Sequence, residues 1–160
     1  MIIRTVKLKK LLFYVVGTFL FGVIGALLGG GTSQIYSTLN KPPLSPPGIV
    51  FPIVWAVLYI FMGYAAYRVY YYGKDSDLKA NALKNYAINL VLNFLWPTVF
   101  FRFQLLGLAL IWAIILAIST IITTVKFEKI DSLSGFLFTV YALWTVFASV
   151  LTAAVWWLNR

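Results

Sequence analysis

The feature that most constrains the fold of this chain is its series of long apolar stretches. Of its 160 residues, 62% are hydrophobic and 11% are charged, whereas a soluble domain is usually about a quarter charged. The stretch from Leu11 to Leu28 contains no charged residue and is close to the length that a helix needs to cross a bilayer. The chain is therefore predicted to be an all-α integral membrane protein.

Charged or proline-rich segments divide the remaining apolar sequence. There is room for about five crossings of roughly 20–25 residues, so we expect one domain over residues 1–160, a bundle of five transmembrane helices. The basic residues before the first stretch resemble the start of a signal peptide, but that stretch is too long for one and no clear cleavage site follows. The predicted spans are about 11–28, 47–70, 78–101, 105–125 and 135–158.

Basic residues are distributed unevenly among the segments that join these spans. Ten of the 13 lysines and arginines fall before the first span, or in or near the connections after the second and fourth spans. The positive-inside rule then places the N-terminus in the cytoplasm and the C-terminus outside. This topology explains the net charge of +9 better than nucleic-acid binding does, so we expect membrane lipid and no nucleic acid as a partner.

Five of the six prolines lie between Pro42 and Pro52. Proline fixes φ and lacks a backbone donor, so this segment cannot cross a bilayer as helix. It is predicted to form a stiff segment on the outer face, with its last prolines in the first turn of the second span, where that donor is unpaired in any case.

Residue types that are missing exclude several kinds of chemistry. Without Cys or His there is no zinc site, thiolate nucleophile, Ser-His triad or His-ligated haem, and we expect no metal site and no cofactor. No predicted span carries an ionisable side chain near its centre, which argues against an ion-driven pump or transporter. Passive passage stays open.

Three spans carry polar or aromatic residues at helical spacing. Asn89 and Asn93 lie deep in the third span, where an unpaired amide is costly; they either bond to another helix or face a ligand. Trp96-Pro97 either kinks that helix or opens a cavity beside Phe100. One face of the second span carries Trp55 and Tyr59, and one face of the fifth span carries Trp144, Ala148 and Thr152. Each face is predicted to form either the core or the wall of a pocket. Small residues at Thr18, Gly22, Ala26 and Gly30 indicate either packing inside the bundle or a homodimer face.

These residues fall in ordered motifs. The first runs Tyr36-x-x-Leu39-x-Lys41-Pro42-x-x-x-Pro46-Pro47-Gly48 and leads into Phe51-x-x-x-Trp55-x-x-Leu58-Tyr59. The others are Leu92-Asn93-x-x-Trp96, Phe100-Phe101, Tyr141-x-x-Trp144 and Phe147-Ala148. From Tyr36 to Asn159 the chain resembles the tryptophan-rich sensory protein family, also called TspO, translocator protein or peripheral benzodiazepine receptor.

The resemblance implies a five-helix membrane bundle, often dimeric, that acts as a receptor or sensor. Its cavity binds porphyrins and benzodiazepine- or isoquinoline-type ligands, beneath the proline-rich loop. Alternatives are a light- and oxygen-dependent breakdown of porphyrin, for which Trp55 and Trp144 are the candidate residues, and transport of tetrapyrroles or lipids. By motif, Trp55, Asn93, Trp144 and Ala148 fall at family cavity positions. The full candidate ligand-binding set is Pro47, Trp55, Tyr59, Asn93, Trp96, Phe100, Trp144, Ala148 and Thr152.

The sequence departs from the family pattern at the mouth of the expected cavity. Leu44 stands where many members have Trp, which removes one aromatic ring there. Lys41 is expected to attract ligand carboxylates at the mouth. A cholesterol-recognition pattern is absent from residues 150–160, which contain no Tyr. Because the chain has no His or Cys to ligate iron, and Met62 or a Tyr is a poor substitute, free-base porphyrin is a better candidate than haem.

Overall fold

The computed structural model describes residues 2–30, 32–43 and 45–160 of the chain, and side chains from residue 7 onward except 31–34 and 44. The position of Leu44 therefore lies outside the described residues. The described elements are helical. In chain order they are α1 Ile2–Leu28, α2 Thr32–Thr38, α3 Val50–Tyr72, α4 Asp77–Pro97, a π-helical turn Thr98–Arg102, α5 Leu106–Glu128 and α6 Ser132–Leu158.

The five long helices form a closed ring. Around it, α1 packs on α3, α3 on α6, α6 on α5, α5 on α4, and α4 returns to α1. Four of these helices are long and apolar enough to cross a membrane: α3, α5, α6 and the part of α1 from Lys7 to Leu28. Helix α4 has 21 residues but is less apolar, because it contains four asparagines. The prediction of an all-α membrane protein is confirmed, while a fifth crossing rests on α4.

Side chains cap the helices at the end of the bundle where α3 joins α4 and α5 joins α6, here called the basic end. Ser76 Oγ accepts a hydrogen bond from the backbone N of Lys79 at the start of α4. Asp131 accepts from the backbone N of Ser134 at the start of α6. It also accepts from Arg68, whose Nε donates to Oδ2 at 2.8 Å and whose Nη2 donates to Oδ1 at 2.7 Å. These caps satisfy backbone donors that a helix start leaves free.

The opposite end, here called the cavity end, is built differently. Pro97 ends α4, and the backbone N of Phe103 donates to Thr98 O at 3.0 Å, five residues earlier. This i→i+5 pattern is that of a π-helix, which places more residues in a turn than an α-helix does. The predicted third span ran as one helix to residue 101, so its last turn differs in type from the prediction.

Other element boundaries also differ from the sequence-based ones. Helix α3 begins at Val50, so Pro47 precedes the helix, whereas Pro52 lies in its first turn as expected. Helix α2 was not predicted; the sequence indicated only a connection there. Helices α1 and α6 extend beyond the predicted spans at their N-terminal ends, since they begin at Ile2 and Ser132.

Part of the row of small residues packs inside the bundle: Thr18 and Gly22 are buried, whereas Ala26 and Gly30 are exposed. A Cβ at Gly22 would lie 2.2 Å from the ring of Tyr59, and a Cβ at Gly25 would lie 2.9 Å from Phe94 O on α4. Thr18 is buried and hydrogen-bonds to the hydroxyl of Tyr86. This face of α1 is therefore occupied by α3 and α4, which favours the packing interpretation over a dimer face.

Candidate cavity inside the helical ring

A cavity of about 140 Å³ lies inside the ring at the cavity end. Residues from α1, α2, α3, α4, the π-helical turn, α5 and α6 line it. Eight of the predicted ligand-binding residues are among them: Trp55, Tyr59, Asn93, Trp96, Phe100, Trp144, Ala148 and Thr152. Pro47, the ninth, does not line the cavity and is exposed.

Eight of the 19 residues that line the cavity carry aromatic rings. The rings of Trp55 and Tyr59, one helical turn apart on α3, stack with centroids 5.5 Å apart. Those of Trp96 and Phe100 stack at 4.9 Å. The π-helical turn also lets Phe101, next to Phe100, line the same space. Stacked and edge-on aromatic faces of this kind suit a flat apolar guest.

The indole of Trp144 has a buried N–H without a hydrogen-bond partner. It is the one buried side-chain polar atom in the described part of the chain that lacks a partner. The indole N–H of Trp96 donates to Ala109 O at 3.1 Å, and that of Trp112 donates to Leu92 O at 2.9 Å. An unpaired buried donor is costly, so the Trp144 N–H is a group that a guest with an acceptor atom would satisfy.

A chain of hydrogen bonds crosses the ring below the cavity. Tyr59 Oη donates to Asn93 Oδ1 at 2.6 Å, and Asn93 Nδ2 donates to Tyr141 Oη at 2.9 Å. Tyr141 Oη donates to Asn89 Oδ1 at 3.1 Å, and Asn89 Nδ2 donates to Thr120 Oγ1 at 2.8 Å. Asn89 and Asn93 therefore bond to other helices, which was the first of the two interpretations. Asn93 also lines the cavity.

The hydroxyl groups on the α6 wall are satisfied within their own helix. Thr145 Oγ1 donates to Ala142 O at 2.9 Å and Thr152 Oγ1 donates to Ala148 O at 2.7 Å. Each oxygen keeps the capacity to accept a hydrogen bond.

Residues of α2 and of the start of α3 meet at the cavity, where Tyr36 and Phe51 are among the lining residues. The rings of Tyr36 and Phe51 meet with centroids 5.0 Å apart, and Phe51 meets Trp144 at 6.0 Å. Tyr36 Oη donates to Pro46 O at 3.2 Å, which ties α2 to the proline-rich segment. Lys41 Nζ donates to Tyr36 O at 2.7 Å. Lys41 was expected to attract a ligand carboxylate, but its ammonium group is bonded to the C-terminal part of α2.

A reciprocal pair of hydrogen bonds, here called the asparagine clasp, holds the same loop to the end of α6. The backbone N of Asn40 donates to Asn159 Oδ1 at 3.0 Å, and Asn159 Nδ2 donates to Asn40 O at 2.8 Å. Asn159 Nδ2 also donates to Val155 O at 2.7 Å. The loop that follows α2 is therefore bonded to α6 as well as to α2.

Sequence reasoning missed several residues of this site. Tyr36 and Phe51 line the cavity, and both belong to the motifs that were recognised. Phe51 lies one helical turn before Trp55, so the spacing on α3 could have identified it. Tyr141 and Thr120 complete the hydrogen-bond chain, but no local pattern connects them because they lie on different helices. Among the described residues, no cluster of His, Cys, Asp or Glu could hold a metal ion.

Comparison with known proteins identifies the family. The model of the TspO/MBR family matches residues 13–158. The chain belongs to the TspO/MBR family. The resemblance inferred from the motifs is thereby confirmed, and so is a multi-pass integral membrane protein.

Individual TspO/MBR relatives align over most of the chain. Protein CrtK of Rhodobacter capsulatus is 34% identical over 86% of this chain and 85% of its own length. The tryptophan-rich sensory protein of Cereibacter sphaeroides is 35% identical over 84% and 82%. The human translocator protein is 33% identical over 76% and 72%. The region matched by the family model, residues 13–158, includes the residues that line the cavity.

Proposed function

We propose that this protein is a membrane receptor or sensor that binds flat aromatic ligands in the cavity, with tetrapyrroles such as free-base porphyrin as the leading class. Benzodiazepine- and isoquinoline-type compounds are further candidates, by resemblance to the family. The observation that carries the proposal is a cavity lined by eight aromatic residues, one of which, Trp144, has a buried N–H without a hydrogen-bond partner. Such a wall supplies stacking area, and the donor supplies orientation.

The size of the cavity adds a requirement. Its volume is about 140 Å³, whereas ligand sites are usually about 300–1,000 Å³. A single-ring or two-ring guest fits this space; a cavity of about 150 Å³ in another protein holds benzene. A porphyrin requires the rings of Tyr36 and Phe51, or the proline-rich segment over them, to move. We therefore propose that this segment acts as a lid.

We also propose that α4 is the fifth membrane crossing. Its 21 residues extend about 31 Å, which matches the hydrocarbon core of a bilayer. Asn89 and Asn93 lower its apolar character, but both are buried and hydrogen-bonded inside the ring. On its outer side Ile88, Val91 and Leu95 are exposed, as a lipid-facing surface requires. A homodimer, which the family resemblance implies, would cover part of such an apolar surface.

The orientation follows from charge. With the basic end in the cytoplasm, the cavity and its lid face the outer side. Cysteines introduced singly at Ser76 and Ser45 should react from opposite sides of the membrane, because Ser76 lies between α3 and α4 and Ser45 lies in the proline-rich segment. In intact cells an impermeant thiol reagent should label Ser45→Cys alone. Labelling of Ser76→Cys alone would show that the protein has the opposite orientation.

The binding proposal is tested by removing the unpaired donor while keeping an aromatic ring. Trp144→Phe should weaken binding of free-base protoporphyrin about fivefold to tenfold, because a guest acceptor loses its partner. The measurement is quenching of protein fluorescence in detergent. Trp112→Phe is the matched control: its indole N–H is bonded to Leu92 O and it does not line the cavity. Equal affinity in wild type and Trp144→Phe would contradict the role of the donor.

A second candidate function is light-dependent breakdown of porphyrin. It is favoured by the position of Trp55 and Trp144, since both line the same cavity and would contact one guest. Irradiation of the protoporphyrin complex in air should then consume porphyrin faster than in a Trp55→Phe variant that still binds it. Equal rates at equal occupancy would leave binding as the function.

A further inference from the structure

The hydrogen-bond chain below the cavity can run in one direction only. At its far end Thr120 Oγ1 lies 2.8 Å from Leu116 O. A carbonyl oxygen only accepts, so the single hydroxyl proton of Thr120 is used there. Thr120 must then accept from its other neighbour, which places the NH2 group of Asn89 against it. The carbonyl oxygen of Asn89 consequently faces Tyr141.

The same reasoning passes along the chain to the cavity. Asn89 Oδ1 accepts, so Tyr141 uses its proton there and must accept from Asn93 Nδ2. This leaves Asn93 Oδ1 facing Tyr59, whose hydroxyl proton is therefore used as well. One backbone carbonyl on α5 thus determines the proton position on the last member of the chain, Tyr59, which lines the cavity.

From this we infer that Tyr59 Oη is a fixed hydrogen-bond acceptor in the cavity wall, and that the site selects guests that present an N–H or O–H donor to it. The inference deepens the proposed function and rests on it. Because the phenol proton is already bonded to Asn93, Tyr59 has only lone pairs to offer a guest. A guest with an acceptor atom at this position would face two oxygen atoms and lose a hydrogen bond to water without replacement.

The ring of Tyr59 has little freedom to turn away. It fits against Gly22, where any Cβ would meet it at 2.2 Å, and it stacks on Trp55. Tyr59 is only 7% exposed. The packing of the folded protein, and not the guest, therefore determines the direction of the Tyr59 hydroxyl.

Two isosteric two-ring compounds, indole and benzofuran, test the inference. They have nearly the same shape and suit the present volume, but indole carries an N–H donor where benzofuran carries an acceptor oxygen. Dissociation constants are measured in detergent by ligand-observed NMR, with protoporphyrin as competitor. Comparing the indole-to-benzofuran ratio between protein variants cancels partitioning into micelles. We expect wild type to prefer indole, and Tyr59→Phe to lower that preference about fivefold to tenfold.

A second pair of variants acts from a distance and leaves Tyr59 in place. Thr120 does not line the cavity, and its neighbour Ser119 offers Asn89 a weaker alternative acceptor at 3.3 Å. Ser119→Ala with Thr120→Val removes the group that fixes the direction of the chain, so the preference for indole should fall toward one or reverse. Thr120→Ser keeps the hydroxyl and should retain the wild-type ratio. A merely structural role for Thr120 would lower the melting temperature without changing the ratio.

The outcomes separate the two proposals. If both fragments bind and compete with protoporphyrin but the ratio is the same in wild type, Tyr59→Phe and the double variant, the inference is overturned and the proposed function stands. If protoporphyrin binds and neither fragment does, the inference is again overturned. If folded wild-type protein binds neither protoporphyrin nor the fragments, the proposed function fails and the inference fails with it.

Discussion

The two ends of the helical ring use the same aromatic residue types in opposite ways. At the basic end Tyr86, Phe127 and Phe138 are buried and in contact, with the rings of Phe127 and Phe138 4.6 Å apart. At the cavity end Trp55, Trp96 and Phe100 surround a space instead of filling it. Aromatic content alone does not distinguish a core from a pocket; what differs is how the helices end beside it.

Helix termini explain the difference. At the basic end Ser76 and Asp131 cap α4 and α6 with side-chain hydrogen bonds, and Arg68 connects α3 to the second cap. The neighbouring helices can then approach closely. At the cavity end Pro97 stops α4, a π-helical turn follows, and α6 is joined to a loop rather than to a helix. The wider turn and the loop leave the space that the rings enclose.

The comparison predicts that truncation at the basic end affects stability and not binding. Phe138 is fully buried, so Phe138→Ala should leave an unfilled space and lower the free energy of unfolding by about 3–5 kcal/mol. Protoporphyrin affinity per folded molecule should stay within about twofold of wild type. Melting temperature and fluorescence quenching in detergent measure the two effects separately. A tenfold loss of affinity in the folded fraction would mean that the two ends are not independent.

A smaller effect is expected from the lid. Replacing both Pro46 and Pro47 by Gly should weaken protoporphyrin binding about threefold to fivefold, because a more flexible segment loses more entropy when it orders over a guest. The bundle should stay folded, since Pro47 is exposed and Pro46 is only partly buried. Pro43→Gly, another exposed proline of the same loop, serves as the comparison. Unchanged affinity in the double variant would show that the segment is only a connection.

The smallest expected effect is a dependence of stability on acid pH at the basic end. Hydrogen bonds from Arg68 hold the pKa of Asp131 at about 2, below its ordinary value of 3.8. A carboxyl whose pKa is depressed by folding adds stability above its unfolded value and loses it as pH falls toward the folded one. The melting temperature should therefore decrease between about pH 4 and pH 2. The melting temperature of Asp131→Asn should be lower than that of wild type at neutral pH and should decrease less as the pH falls. If both proteins lose melting temperature equally with pH, other groups cause the effect.

Much of the fold could be predicted because each long apolar stretch must satisfy its backbone internally, and helices do this without reference to other segments. Eight of the candidate residues line the cavity for a related reason, since helical spacing puts Trp144, Ala148 and Thr152 on one face of α6. Helix α2 could not be predicted: it has seven residues, and contacts of Tyr36 with Phe51 and Pro46 hold it in place. The bond from Lys41 to α2 and the direction of the chain from Thr120 to Tyr59 depend on elements distant in sequence, which no local pattern records.

The asparagine clasp has a practical consequence for how this protein is handled. Asn159 follows the end of α6, and its side chain is bonded to the loop that follows α2. An affinity tag or fluorescent fusion joined directly to Arg160 would lie one residue from this clasp, and we expect it to disturb the bond to the loop, so measured ligand exchange would depend on the fusion partner. Attachment before α1, which begins at the other end of the ring, avoids this interference.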